Sequence, residues 1–290
     1  MSQGVPLNGM SVGCVIIILH LWKGTYLKKI SSLLFFFLLI TPLNTYAATL
    51  VGYWDFNESS GNIAYDQSGF NNNGQLTGAT RTVHGKVGNA LDFTGQGGVT
   101  VPNSSSLDSL PGGFTLSAWI YPTYFAPGNV TTLFFKWDRA NQTYPWHDTM
   151  TFQAGLGTKL YSAMNEPAVP GYDGYEGVSS DVLSLNEWNY VAWMFDENFH
   201  RLYHNGIEVF SEAYASPWTG NHDVLLIGEH PIYSFSNFLG YIDEPRIYCG
   251  ALTQDEILRD MNGGAVIPEP STLLLLVSGL LGLPFMRRKK

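Results

Sequence analysis

Hydrophobic and polar positions alternate in short runs through most of the chain, and Gly, Pro and Asn punctuate them. Helical periodicity is scarce, so the pattern predicts an all-β body. In residues 114–121 (FTLSAWIY) the alternate positions Phe114, Leu116, Ala118 and Ile120 make one apolar face, as expected of a strand whose side chains switch faces at every residue. Pro122 ends that run, because it has no N–H to give a ladder. Residues 188–195 (WNYVAWMF) are apolar on both faces and predict a central strand covered on either side. Asn205-Gly206 separates residues 201–204 from 207–210. That dipeptide tolerates two positive φ angles, so a type I′ hairpin is predicted. Thr253 followed by Glu256 makes a capping box for a short helix from Gln254 to about Met261, with Gly263 available to stop it.

The two ends of the chain depart from this alternation. Lys28-Lys29 precede an apolar run at 30–40, then a polar stretch and Thr45-Tyr46-Ala47-Ala48. That is the order of charge, apolar core and small-residue cleavage site in a secretory signal peptide, with signal peptidase expected to cut near Ala47. A second apolar patch at 12–21 has no basic residue ahead of it, and a signal peptide does not need it. It points to an over-extended start, with translation opening at Leu27 and residues 1–26 not made. At the other end, Pro268-Glu269-Pro270 is followed by an apolar stretch from about 272 to 286 and then Arg287-Arg288-Lys289-Lys290. As a helix rising about 1.5 Å per residue, that stretch falls short of the ~30 Å hydrocarbon core and makes a marginal anchor. The closing cations would stay cytoplasmic, leaving everything before Pro268 outside. Three parts follow: a leader at 1–47, a body at 48–262 and a tail at 263–290.

Removing the ends changes the charge. Seven of the 15 Lys and Arg lie in them, leaving 15 − 7 = 8, whereas only Glu269 of the 24 acids does, leaving 23 and a net charge of 8 − 23 = −15. Such a surface repels phosphate backbones and argues against nucleic acid as a partner. It suits solubility and divalent cations. Of the two cysteines, Cys14 is in the leader and Cys249 stands alone in the body, so the body has no internal disulfide. Its roughly 215 residues suffice for one substantial β domain.

Long irregular stretches at 96–113, 137–149 and 161–184 are candidate binding loops. The second and third hold Trp137, Asp138, Arg139, Tyr144, Trp146, His147, Asp148, Tyr172, Asp173 and Tyr175. Sugar rings offer apolar C–H faces to such aromatics and hydroxyls to the polar groups beside them, as ligand pockets generally combine. Trp54, Trp119, Trp188 and Trp193 sit in strand patterns and read as packing residues. Enzymatic constellations are scarce. Asp173 and Glu176 form no carboxylate pair on a strand face. His200 and His204 have a spacing that joins ligands only on a helix, and the hairpin places them on a strand. No nucleophile elbow, phosphate loop or Cys-x-x-Cys pair occurs.

Four segments carry a resemblance: LVGYWDFNESSG at 50–61, DQSGFNNNG at 66–74, WNYVAW at 188–193 with YHNG at 203–206, and LGYIDEPRIY at 239–248. Together they resemble the laminin-G-like, concanavalin A-like jelly-roll domain. The resemblance implies two antiparallel sheets packed face to face, with the first and last strands adjacent. Pro245 stands where the family usually has Val, and its missing N–H demands an edge or a bulge. In many relatives a calcium ion is bound by the 66–74 loop with a residue of the last strand, which implies Asp66 and Asp243 here and, less directly, Asn73. Calcium takes six to eight oxygens, which such a loop can supply. The other reading is an Asx turn at Asp66 and an Asp243 that pairs with Arg246 or the backbone.

The tail is similar to the PEP-CTERM sorting signal, with Pro268, Glu269 and Pro270 as its motif. That similarity implies an exosortase as processing partner, transient anchoring in the inner membrane and a destination at the cell surface or outside. The expectation from sequence is therefore an exported, non-catalytic domain that binds glycan, such as an exopolysaccharide, or protein. A polysaccharide hydrolase or lyase of the same fold, and a structural matrix component without a discrete ligand, are the alternatives.

Overall fold

The computed structural model describes residues 48–94, 96–125, 127–136, 150–164, 175–213, 220 and 222–264, with the side chains of 175 and 176 left aside. The elements in chain order are β1 (Thr49–Tyr53), β2 (Ile63–Ala64), β3 (Gly74–Leu76), β4 (Thr80–Thr82), β5 (Ala90–Thr94), β6 (Val99–Val101), α1 (Ser105–Asp108), β7 (Phe114–Pro122), β8 (Val130–Lys136), β9 (Met150–Gly155), β10 (Lys159–Met164), β11 (Tyr175–Val178), β12 (Asn189–Phe195), β13 (Phe199–His204), β14 (Ile207–Ala213), β15 (Leu225–Ile227), β16 (Leu239–Cys249) and α2 (Gln254–Met261). A 3₁₀ turn at Ser234–Ser236 precedes β16. Two of the long irregular stretches hold short pieces of regular structure, β6 with α1 in 96–113 and the end of β10 with β11 in 161–184. Three or four residues are too few for an alternation to stand out in sequence.

The strands form two antiparallel sheets. One has the order β14-β13-β12-β7-β16-β5-β4 with β1 also on β16, and the other β11-β10-β9-β8-β15-β6-β3-β2. Their facing surfaces enclose the main core. Phe114, Leu116, Ala118 and Ile120 of β7 all point into it, as the alternation predicts. All of β12 is buried. Val191, Trp193 and Phe195 join the main core, while Tyr190, Ala192 and Met194 pack on the opposite face with Leu252 and Ile257 of the α2 region. The doubly apolar run is thus explained by one helix laid on the outside of the first sheet. Trp54 and Trp193 are fully buried. Trp119 and Trp188 are only half-buried, Trp119 against Tyr190 and Trp188 against Tyr121.

β16 pairs with β7 along its length and changes its other neighbour midway. Leu239 to Ile242 face β5, whereas Arg246 to Cys249 face β1. A bulge lies between Asp243 and Arg246, with Glu244 at φ 53. Pro245 sits in that bulge, where its missing N–H leaves no ladder bond unmade, and its carbonyl accepts from Trp54 N–H at 3.1 Å. The first and last strands are adjacent, as the family resemblance implies. Asn205 and Gly206 take φ 49 and 77 in the turn between β13 and β14. Thr253 and Glu256 exchange both capping-box bonds. Gly263 at φ 72 and Gly264 close the helix by donating to the carbonyls of Asp260 and Arg259.

Candidate functional site

Four adjacent strands of the second sheet end in one row. Lys136 of β8 faces Met150 of β9, Met150 faces Met164 of β10, and Met164 faces Tyr175 of β11. The segments 137–149 and 165–174 therefore both leave from the same end of this sheet. Trp137, Asp138, Arg139, Tyr144, Trp146, His147, Asp148, Tyr172 and Asp173 lie in them and outside the described residues. Tyr175 opens β11, where only the backbone is described. The same end is closed beneath by a buried ion pair. Lys136, 1% exposed, donates to Asp108 Oδ1 at 2.9 Å and to the Asp223 carbonyl at 2.5 Å. Burial lowers its pKa in spite of Asp108.

A second group of side chains, outside the predicted binding loops, stands on the outer face of this sheet. Phe134, Leu225 and Ile227 point into the main core, so by alternation Phe135 and Leu226 point the other way, where they form a separate cluster. The His230 ring lies on Phe135 with centroids 4.8 Å apart. Tyr233 follows at 5.1 Å from His230, and Phe235 at 5.2 Å from Tyr233 with planes only 25° apart. The row climbs from buried to exposed, ending in Tyr233 at 42% and Phe235 at 60%, with Ile232 beside them at 49%.

The loop that carries this ladder is fixed at both ends. Gly228 donates its N–H to the Leu133 carbonyl at 3.0 Å and accepts from Phe238 N–H at 2.9 Å, which pinches the base. Gly228 has φ 73, and a Cβ there would meet the Phe93 ring at 2.3 Å, so the position admits only glycine. Buried Asn237 accepts from His230 N–H at 2.8 Å. His230 Nδ1 in turn accepts from the amides of Ile232 and Tyr233 at 3.2 and 3.1 Å. Burial pushes the imidazole down to about 4, so it is neutral at physiological pH. The sequence signal was available as His-Pro-Ile-Tyr-Ser-Phe-Ser-Asn at 230–237, a ring-rich stretch without strand alternation.

Asp66, Asn73 and Asp243 meet different fates. The Asp66 carboxylate receives four donors: Tyr53 N–H at 3.0 Å and Ser68 N–H at 2.8 Å on Oδ1, Ser68 O–H at 2.7 Å and Asn72 N–H at 2.9 Å on Oδ2. Asn73 Oδ1 accepts from Asp66 N–H at 2.9 Å. These oxygens hold the 66–74 turn together by accepting from N–H groups and the Ser68 hydroxyl, with Ser68 N–H closing an Asx turn. Asp243 is fully buried, with Oδ2 accepting from Val87 N–H at 2.8 Å and Oδ1 without a hydrogen-bond partner. Arg246 pairs instead with Glu244 and Asp260. Of the three, Asp243 alone has a carboxylate oxygen without a hydrogen-bond partner among the described residues. Among the described residues no group of three or more His, Cys, Asp or Glu side chains is placed to hold a metal. His200 is buried and pushed down to about 4 by desolvation, while His204 Nε2 lies 2.9 Å from Asn189 Oδ1.

The family model of the concanavalin A-like lectin/glucanases superfamily matches residues 93–258, more than half of the chain. The chain belongs to that superfamily. Its two-sheet jelly-roll sandwich is similar to domain 4 of an extracellular arabinanase of Geobacillus stearothermophilus, solved in complex with arabinotriose. The TM-score is 0.57 at 23% identity, covering 74% of this chain and 99% of that domain. The binding domain of Paraclostridial mosquitocidal protein 1 matches with TM-score 0.56 at 18% identity, covering 74% of this chain and 52% of that one. The sialidase of Trypanosoma rangeli in complex with sialic acid matches with TM-score 0.52 at 13% identity, covering 75% of this chain and 33% of that one. The chain thus spans about half of the toxin domain and a third of the sialidase. At these identities the likeness shows the fold. No curated protein matches the chain. The PEP-CTERM protein-sorting motif matches residues 266–290 and takes in Pro268, Glu269 and Pro270. It implies processing by exosortase and marks proteins exported to the cell surface or outside the cell. No described helix is long and apolar enough to cross a membrane. The apolar stretch at 272–286 lies outside the described residues.

Proposed function

We propose that this superfamily domain is a non-catalytic glycan-binding module, carried to the cell surface or the surrounding matrix by its PEP-CTERM tail. The observation that carries the reading is the ring ladder from Phe135 through His230 and Tyr233 to Phe235, which rises from a buried base to two exposed faces on a braced loop. Exposed rings of this kind match the C–H faces of a sugar, and bracing lowers the cost of ordering the loop on binding. The arabinanase domain was solved with arabinotriose on the same fold, which supports including arabinan among the first glycans tested. Retention of the protein on immobilised exopolysaccharide or on a glycan array is the direct measurement. A correctly folded protein that binds none of these glycans, or one that depolymerises them, would remove the reading.

A further inference from the structure

The 228–238 loop holds more than stacking chemistry. His230 Nδ1 accepts two backbone N–H bonds, and a ring nitrogen that accepts cannot carry the proton. The neutral imidazole therefore bears its hydrogen on Nε2. That atom has no hydrogen-bond partner among the described residues and belongs to a half-buried ring held between Phe135 and Tyr233. The ring that carries this donor is fixed by its Nδ1 bonds and its stacking neighbours before any ligand arrives.

Resting on the glycan-binding reading, we propose that this loop selects an uncharged glycan, with His230 Nε2–H as the positioned donor to a sugar oxygen and Tyr233 and Phe235 as the stacking faces. The charges on the loop itself point to the class. Glu229 is the only formally charged residue from 228 to 238, and its Oε2 accepts from Thr77 O–H at 2.8 Å. No Lys or Arg on the loop could pair with a uronate, sulfate or phosphate, and an anionic chain would approach a carboxylate on a domain of net charge −15 (8 basic less 23 acidic residues). Hydroxyl and ring oxygens of a neutral sugar need only the N–H donor and the rings. The three exposed side chains Ile232, Tyr233 and Phe235 also make too small a patch for a stable protein interface.

Two substitutions separate the parts. His230→Asn places Oδ1 near the position of Nδ1, so the two amides keep their acceptor while the Nε2 donor is lost. Phe235→Ala removes an exposed ring that no core contact requires. The full chain, purified in mild detergent, is run by affinity electrophoresis through gels containing arabinan, β-glucan, alginate or polygalacturonate. Retardation is expected in a neutral gel and not in the two anionic ones. Phe235→Ala is expected to weaken it about tenfold, and His230→Asn about fivefold, the range of one net hydrogen bond. Unfolding midpoints should match the parent. Stronger retardation by alginate or polygalacturonate overturns the assignment of class. Wild-type affinity for a neutral glycan in both variants overturns the assignment of the loop while leaving glycan binding intact. Retardation in none of the gels removes the glycan-binding reading itself.

Discussion

Asp243 sits where β16 leaves β5 and reaches for β1, and the bulge there buries its carboxylate completely. Burial raises its pKa to about 7, against the help of the Val87 N–H. An unfolded aspartate titrates near 3.9. The folded state therefore holds a proton that the unfolded chain has released between about pH 4 and 7, and stability must fall as pH rises through that window. The loss is on the order of 4 kcal/mol, complete above about pH 7. Asp243→Asn keeps an acceptor for Val87 and never ionises, so urea unfolding of that variant is expected to show a flatter profile and a gain over the parent at pH 8. A parent midpoint that rises at pH 8 on adding calcium, with no such rise in Asp243→Asn, would mean that a cation neutralises the carboxylate. Asp66 is the counterexample in the same sequence. It was legible as a loop carboxylate, but the four donors that fill it belong to a turn whose closure the sequence does not display.

At the scale of elements, local rules made the hairpin at Asn205-Gly206, the apolar face of β7 and the capping box of α2 readable in advance. Each depends on residues within one turn or one strand. What fastens α2 was not readable, because its partners come from three strands. Asp260 is 1% exposed and accepts from Ser117 O–H at 2.6 Å, Tyr190 O–H at 2.7 Å, Tyr248 O–H at 2.5 Å and Arg246 Nη1–H at 2.8 Å. Ser117 is 143 positions away in the chain. Burial and then the Asp260 charge drive the Tyr190 pKa well upward, so its hydroxyl stays a donor. Asp260→Ala would leave three hydroxyls and a buried guanidinium short of an acceptor, with an expected cost of about 3–5 kcal/mol. Thr253→Ala breaks only an exposed cap and should cost about 1 kcal/mol. Equal losses in urea titrations of the two variants would show that the helix is held by its cap and not by its buried acid. The ladder was hidden for a related reason, since Phe135 and His230 meet only once β15 lies between β8 and β6.

For the whole molecule, the sorting tail and the sandwich meet at the end of α2. The Gly263 and Gly264 amides complete the helix, and the sorting motif begins at residue 266. Among the described residues the hydrogen bonds that tie α2 to the first sheet come from Asp260 or from residues before it, including Gln254 Nε2–H to the Gly206 carbonyl, and Met261 adds packing on the same face. Cleavage near Pro268 therefore should leave the fold untouched, so that a protein released by its sorting protease is as stable as its precursor. A chain ending at Gly264 and one running to Lys290, each starting at Ala48 and measured in the same detergent, are expected to share one thermal midpoint within about a degree. A drop of several degrees on truncation corresponds to about 1 kcal/mol or more in a domain of this size. Such a drop would mean that the tail packs on the sandwich before it is cut, and processing would then carry a cost in stability.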